Sequence, residues 1–185
     1  MAKRKYFPAE RLRDLRELIR RADRNYGSTI AYKQFGPKRV VEECTFGDLN
    51  NDMNAFGTQL INMGLKDAHI ALLGESRYEW VVSYLSVLNG VGVGVPLDKE
   101  LDARDLKQQV IEAEVSAVIF GKKYEKIFEE IKASGETKLE MLVNFDAKEN
   151  TEEVLSWKML IEEGKKLIAD GDRQFLDAEV NGTDM

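Results

Sequence analysis

Glu75 and Asp98 are the first residues of this chain with a pattern that could do chemistry. Each directly follows a short apolar run, His69–Leu73 for Glu75 and Val91–Val95 with Pro96 for Asp98, and Ser76 stands beside the first. If both runs are neighbouring strands, the two carboxylates sit at adjacent strand ends, where a pair could share acid and base work. Local roles compete: a carboxylate near a helix start meets free amides, and an aspartate after a proline makes a turn. The local reading is the one adopted for Glu75, Ser76 and Asp98, which remain strand-end cleft candidates. Trp80 and Tyr84, one helical turn apart, are candidates for the wall of an apolar substrate tunnel; the same spacing also suits ordinary core. The single histidine, His69, and the single cysteine, Cys44, exclude a Cys/His zinc cluster; His69 at a strand start reads as a structural or surface residue, and Cys44 at an edge-strand position has no nearby base to make it a nucleophile. The run Asn89-Gly90-Val91-Gly92-Val93-Gly94 contains G-x-G-x-G, but it follows a helical pattern and enters a strand. A phosphate-binding loop has the opposite order, so these glycines read as cap and packing residues. No catalytic residue, cofactor ligand or metal ligand is assigned.

The elements that position these residues alternate. A helix is expected from about Pro8 to Asp23 with Leu12, Leu15, Leu18 and Ile19 on the core, then a hairpin of Thr29–Phe35 and Arg39–Phe46 turning at Gly36-Pro37-Lys38. Thr45 with Asp48 makes a partial capping box, and Phe46, Leu49, Met53, Phe56, Leu60 and Met63 draw one apolar stripe down the next helix to a Gly64 cap. The strand His69–Leu73 leads to Ser76 and Glu79, an S-x-x-E capping box, and a helix burying Trp80, Val81, Tyr84, Leu85 and Leu88. Strands follow at Val91–Val95, Val115–Phe120 and Leu139–Asn144, with helices opened by Asp102 and running over Lys123–Ala133 between them. Ser156 caps a last helix, and the residues after Asp170 are polar with nothing to end a fold. Continuous apolar strands alternating with helices specify a doubly wound α/β domain with a mainly parallel sheet, preceded by a helix and a β-hairpin. The boundaries are a basic helix over 1–28, the α/β unit over 29–150, and a terminal helix with trailing segment over 151–185.

Composition sets the outer limits. The chain has 185 residues, enough for one well-packed domain, and its 43% hydrophobic and 32% charged content is that of a globular protein. No apolar run approaches the ~20 residues needed to cross a bilayer. One cysteine suits a reducing cytoplasm. Net charge is -6, yet the first 25 residues hold nine Lys/Arg against four Asp/Glu. Such a helix could touch anionic lipid, but Glu10, Asp14 and Glu17 interleave the arginines, which favours a solvated face. With the remainder strongly acidic, nucleic acid is not an expected partner.

The stretch GESRYEWVVSYLSVLNGVGVGVPLDKEL carries a resemblance. Together with Thr45-Phe46-Gly47-Asp48-Leu49, Gly64-Leu65-Lys66 leading into Ile70-Ala71-Leu72, Arg77-Tyr78-Glu79-Trp80 and Val95-Pro96-Leu97-Asp98, it resembles the N-terminal part of AMP-forming acyl-CoA synthetases of the adenylate-forming superfamily. Those enzymes show a threonine–aromatic helix start, a G-[VL]-K lead into an apolar strand, an N-x-x-E-W helix and a P-L-D strand end in this order. Ser76 stands where the family usually has asparagine, an exchange of one helix-capping residue for another. The wording around RYEW and VPLDKEL is most similar to the long-chain fatty acid branch.

The resemblance implies a flavodoxin-like subdomain forming one wall of a substrate cleft. It also implies that Gly182-Thr183-Asp184-Met185 leads toward a T-S-G-T-T-G-x-x-K-G phosphate loop, which this sequence does not contain. ATP, Mg²⁺, CoA and a fatty acid are implied for a whole enzyme, and the remainder of that synthetase is the implied partner. On this expectation the chain is an N-terminal fragment, inactive alone, with an exposed docking face that would favour self-association. The alternative is a non-enzymatic α/β module that binds a protein partner. A small-ligand receptor of flavodoxin type is a third reading, weakened by the absence of a phosphate loop.

Overall fold

The computed structural model describes residues 11–36 and 39–181. The first helix, α1 (Leu15–Tyr26), is capped by the Asp14 carboxylate, which accepts from the Glu17 N–H. It therefore starts later than Pro8 and runs past Asp23; the expected segment over 8–10 lies outside the described residues. Its inward face also differs. Ile19 is buried, but Leu12, Leu15 and Leu18 are about two-fifths exposed, and the second buried residue is Arg16. Hydrophobic spacing alone marked the wrong leucines, because α1 lies on the molecule through a narrow strip centred on Arg16 and Ile19.

The hairpin consists of β1 (Ile30–Phe35) and β2 (Val41–Thr45), paired antiparallel in a separate two-stranded sheet. Two residues of its expected turn, Pro37 and Lys38, lie outside the described residues. Thr45 then caps α2 (Phe46–Asn62) in a full capping box with Asp48, and Gly64 follows the helix with φ +85°.

From there the chain winds through β3 (His69–Leu73), α3 (Tyr78–Ser86), β4 (Val93–Pro96), α4 (Ala103–Glu112), β5 (Ala117–Phe120), α5 (Glu125–Ala133), β6 (Met141–Asn144), the two-residue β7 (Leu155–Ser156) and α6 (Trp157–Ala169). The five strands are all parallel, in the order β4-β3-β5-β6-β7. That is the doubly wound flavodoxin-like arrangement. Successive strand residues point to opposite cores. Ile70, Ile119 and Val143 join α1, α2, α3 and α6 on one face, while Ala71, Leu73, Val118, Phe120 and Leu142 join α4 and α5 on the other. Burial on both faces explains why the strands read as unbroken apolar runs.

Three local readings require correction. Ser76 does not cap α3: the N-cap residue is Arg77, which makes no side-chain cap, and the first helical N–H, that of Tyr78, donates instead to Gln34 Oε1 on the hairpin at 3.0 Å. Glu79, expected to close the box, is held by the Arg77 guanidinium at 2.7 and 2.8 Å. The strand expected at Val91–Val95 begins at Val93, because Val87–Val91 form a π-helical turn that breaks at Gly90, with φ +133°. Finally, the segment after Asp170 is part of the packed core. Phe175 is fully buried, its ring lying against Gly57 of α2 and under the Arg16 guanidinium at 4.5 Å. The Gly182–Met185 lead-in lies outside the described residues.

Candidate functional site at the strand ends

Strand order reverses between β3 and β5, and in open parallel sheets ligands settle outside the carboxyl ends at that switch. Here those ends are Gly74-Glu75-Ser76 and Gly121-Lys122-Lys123. The cleft between them is spanned by Glu75, which accepts from Lys123 Nζ at 2.7 Å and from Lys99 Nζ at 3.3 Å. Hydrogen bonds from these two lysines hold the Glu75 carboxyl below its ordinary range, and Glu75 in return raises Lys123. Asp98 takes no part. Its carboxylate accepts from the Glu100 N–H two residues on, a local turn. The possible acid–base pair of Glu75 and Asp98 is thus replaced by a Lys99–Glu75–Lys123 clasp. Ser76 contributes its backbone carbonyl, which accepts from the Tyr32 hydroxyl at 3.3 Å.

A second charged group stands beside the clasp. Arg77 bonds Asp146 at 2.7 Å as well as Glu79, and the other Asp146 oxygen accepts from the Lys122 N–H at 3.0 Å. The Arg77 guanidinium lies 5.5 Å from the Phe145 ring, which in turn lies against Gly74. Arg77 thereby ties the end of β3 to the end of β6 across the switch point. This residue was invisible as a site component in sequence, since nothing along the chain connects position 77 with 146. The only available signal was that both follow strand ends.

Burial alone would raise the Asp146 carboxyl, but the bonds from Arg77 and Lys122 outweigh it and hold its pKa below the usual aspartate range. A depressed native pKa means that this stabilisation is present above the unfolded value of ~3.9 and is lost as pH falls through the native value. Asp146→Asn should therefore flatten the acid limb of stability below about pH 4. Urea midpoints that fall between pH 6 and pH 3 equally for both proteins would refute this.

The remaining candidates have structural surroundings. Trp80 and Tyr84 stack with ring centroids 5.0 Å apart and planes 24° apart. Trp80 rests on the core, and the Tyr84 ring lies against Gly94 of the edge strand β4. His69 Nδ1 is 2.6 Å from the Ala113 carbonyl, joining β3 to the end of α4. The Cys44 thiol is pushed up by burial and then by nearby carboxylates, the reverse of what a nucleophile needs. Gly92 sits on the backbone of Ala68, and Gly94 on Tyr84 and Leu88, so this glycine run is packed rather than open to a phosphate.

Of the groups implied by the resemblance, a Mg²⁺ ion would need free carboxylates, and this edge offers none at the switch point. Both carboxylates at the switch point, Glu75 and Asp146, are already engaged by cations or amides. No group of three His, Cys, Asp or Glu placed to hold a metal ion occurs among the described residues. Likewise, no helix among them is long and apolar enough to cross a membrane.

Comparison with known proteins agrees with the topology. The fold superposes on a long-chain-fatty-acid-CoA ligase from Archaeoglobus fulgidus with TM-score 0.73 at 15% identity, covering 96% of this chain and 33% of that one. Coronafacic acid ligase from Pectobacterium brasiliense gives 0.71 at 20% identity, over 80% of this chain and 29% of that one. The adenylation domain of a carboxylate reductase from Mycobacterium chelonae gives 0.70 at 17% identity, over 83% and 29%. At such identities the likeness is one of fold, and the chain spans about a third of the length of these structures. No curated protein sequence matches it. The sequence profile of AMP-binding enzymes, by contrast, matches residues 19–179, from the middle of α1 through the Phe175 segment. On that match over most of its length, the chain belongs to the AMP-binding enzyme family.

Proposed function

We infer that this chain is the N-terminal α/β part of a ligase that activates a carboxylic acid with ATP as an acyl-adenylate and passes the acyl group to CoA. Family membership over residues 19–179 is the observation that carries the reading. A long-chain fatty acid is the proposed substrate, supported by the RYEW and VPLDKEL wording and by the likeness to the Archaeoglobus ligase. In this reading ATP and Mg²⁺ are bound chiefly by the remainder of the synthetase, which is also the main partner of the chain. The Trp80–Tyr84 stack beside β4 supplies a wall of the acyl tunnel, and Glu75, Ser76 and Asp98 border the cleft without reacting. The protein works in the cytoplasm.

The reading frame tests this most cheaply. Continuation past codon 185 into a T-S-G-T-T-G segment is expected. A natural stop codon there would instead favour a free-standing interaction module.

A further inference from the structure

A groove of about 980 Å³ lies on the other side of the molecule from the strand-end clasp, between α1 and residues 173–180. Its floor is near the amino end of β4, where Arg16 donates to the Asn89 carbonyl. Six arginines line it, four of them, Arg16, Arg20, Arg21 and Arg24, on α1.

The acids nearby are largely committed. Glu17 accepts from Arg13 and Arg21, Asp177 from Arg173 at 2.8 and 3.0 Å, and Asp14 from the Glu17 N–H as helix cap. Glu179 is a further opposing charge on the rim. What remains is a stripe, Arg16, Arg20 and Arg24, spaced i, i+4, i+8 on one face of α1 over ~12 Å. Arg16 is only 4% exposed, and its Nε has no partner among the described residues. Arg20 gives one bond, to the Leu176 carbonyl at 2.6 Å, and Arg24 has none among the described residues. Burial and then the neighbouring Arg20 pull the Arg16 pKa down to about 10, against the smaller opposing pull of Asp14 and Asp177.

We propose that this groove binds a small anion carrying two or more phosphate groups, held by Arg16, Arg20 and Arg24. Guanidinium forks match phosphate oxygens two at a time, and a single phosphate cannot reach along three helical turns. Arg16 and Arg20 already hold the carbonyls of Phe175 and Leu176, so a ligand here would clamp the segment at 173–180 to α1.

Titration calorimetry of the 185-residue chain with inorganic tripolyphosphate at low salt tests the proposal. Saturable binding is expected, with Arg20→Glu plus Arg24→Glu weakening it by at least ~10-fold. Both of those side chains are exposed, so the double variant should fold as the parent does. Lys99→Glu plus Lys123→Glu, which alters the clasp instead, should leave affinity unchanged. Hydrogen exchange at 173–180 should slow when tripolyphosphate is bound. Absence of saturable binding, equal binding by the Arg20/Arg24 variant, or loss of binding in the Lys99/Lys123 variant overturns it.

Discussion

Phe175→Ala should lower the free energy of unfolding by ~3–5 kcal/mol, the range for emptying a buried aromatic site. Phe175 has no exposed surface although it lies in a turn-rich segment beyond the last helix. Its ring fills the space left by the missing side chain of Gly57 on α2, and the Arg16 guanidinium covers it at 4.5 Å. Removing the ring leaves a cavity and also strips Arg16 of an aromatic contact worth ~0.5–2 kcal/mol in its own right. The cavity is not expected to collapse, because Gly57 belongs to a helix locked on both sides. Urea unfolding followed by tryptophan fluorescence should show a lower midpoint with an unchanged slope. A loss below ~1 kcal/mol would mean that the segment after α6 is ornamental rather than part of the core.

The second large effect is expected at Gly164 of α6. A Cβ there would press on the carbonyl and Cα of Ala55 in α2, backbone atoms that cannot turn aside. Alanine in place of glycine gains ~1 kcal/mol of helix propensity, whereas overpacking at a rigid contact costs ~1–3 kcal/mol or more. Valine adds two further methyl groups to the clash and gains less propensity. Gly164→Val should therefore destabilise by ~3 kcal/mol, while Gly121→Ala, where an added Cβ meets nothing within 4 Å, should change stability by less than ~0.5 kcal/mol. Equal midpoints for the two variants would contradict the close α2–α6 approach.

These two sites show where sequence was and was not informative. The parallel sheet was legible because strands buried on both faces need continuous apolar runs, and β3, β5 and β6 supply them. Helix caps were legible where the cap is local, as at Thr45, Asp102 and Ser156. They were not legible where tertiary structure supplies the acceptor, as at α3, whose first amide goes to Gln34 on the hairpin. Arg16 and Phe175 escaped notice for the same reason. An arginine among arginines and a lone aromatic in a polar tail carry no periodicity, and only the fold brings them together. At the strand ends the fold sets Glu75 against Lys123 and leaves Asp98 in a local turn, contacts that depend on rotamers and turn bonds that spacing does not encode.

The central claim, that this chain contributes a wall and not the reactive groups of an acid-activating ligase, is tested most directly by ATP–pyrophosphate exchange. The purified 185-residue chain should show only background exchange with fatty acid, ATP and Mg²⁺ present. If the reading frame continues as proposed, the full-length protein should exchange in a fatty-acid-dependent manner. Exchange above background by the chain alone, or a continued protein that is silent with every carboxylic acid offered, would contradict it.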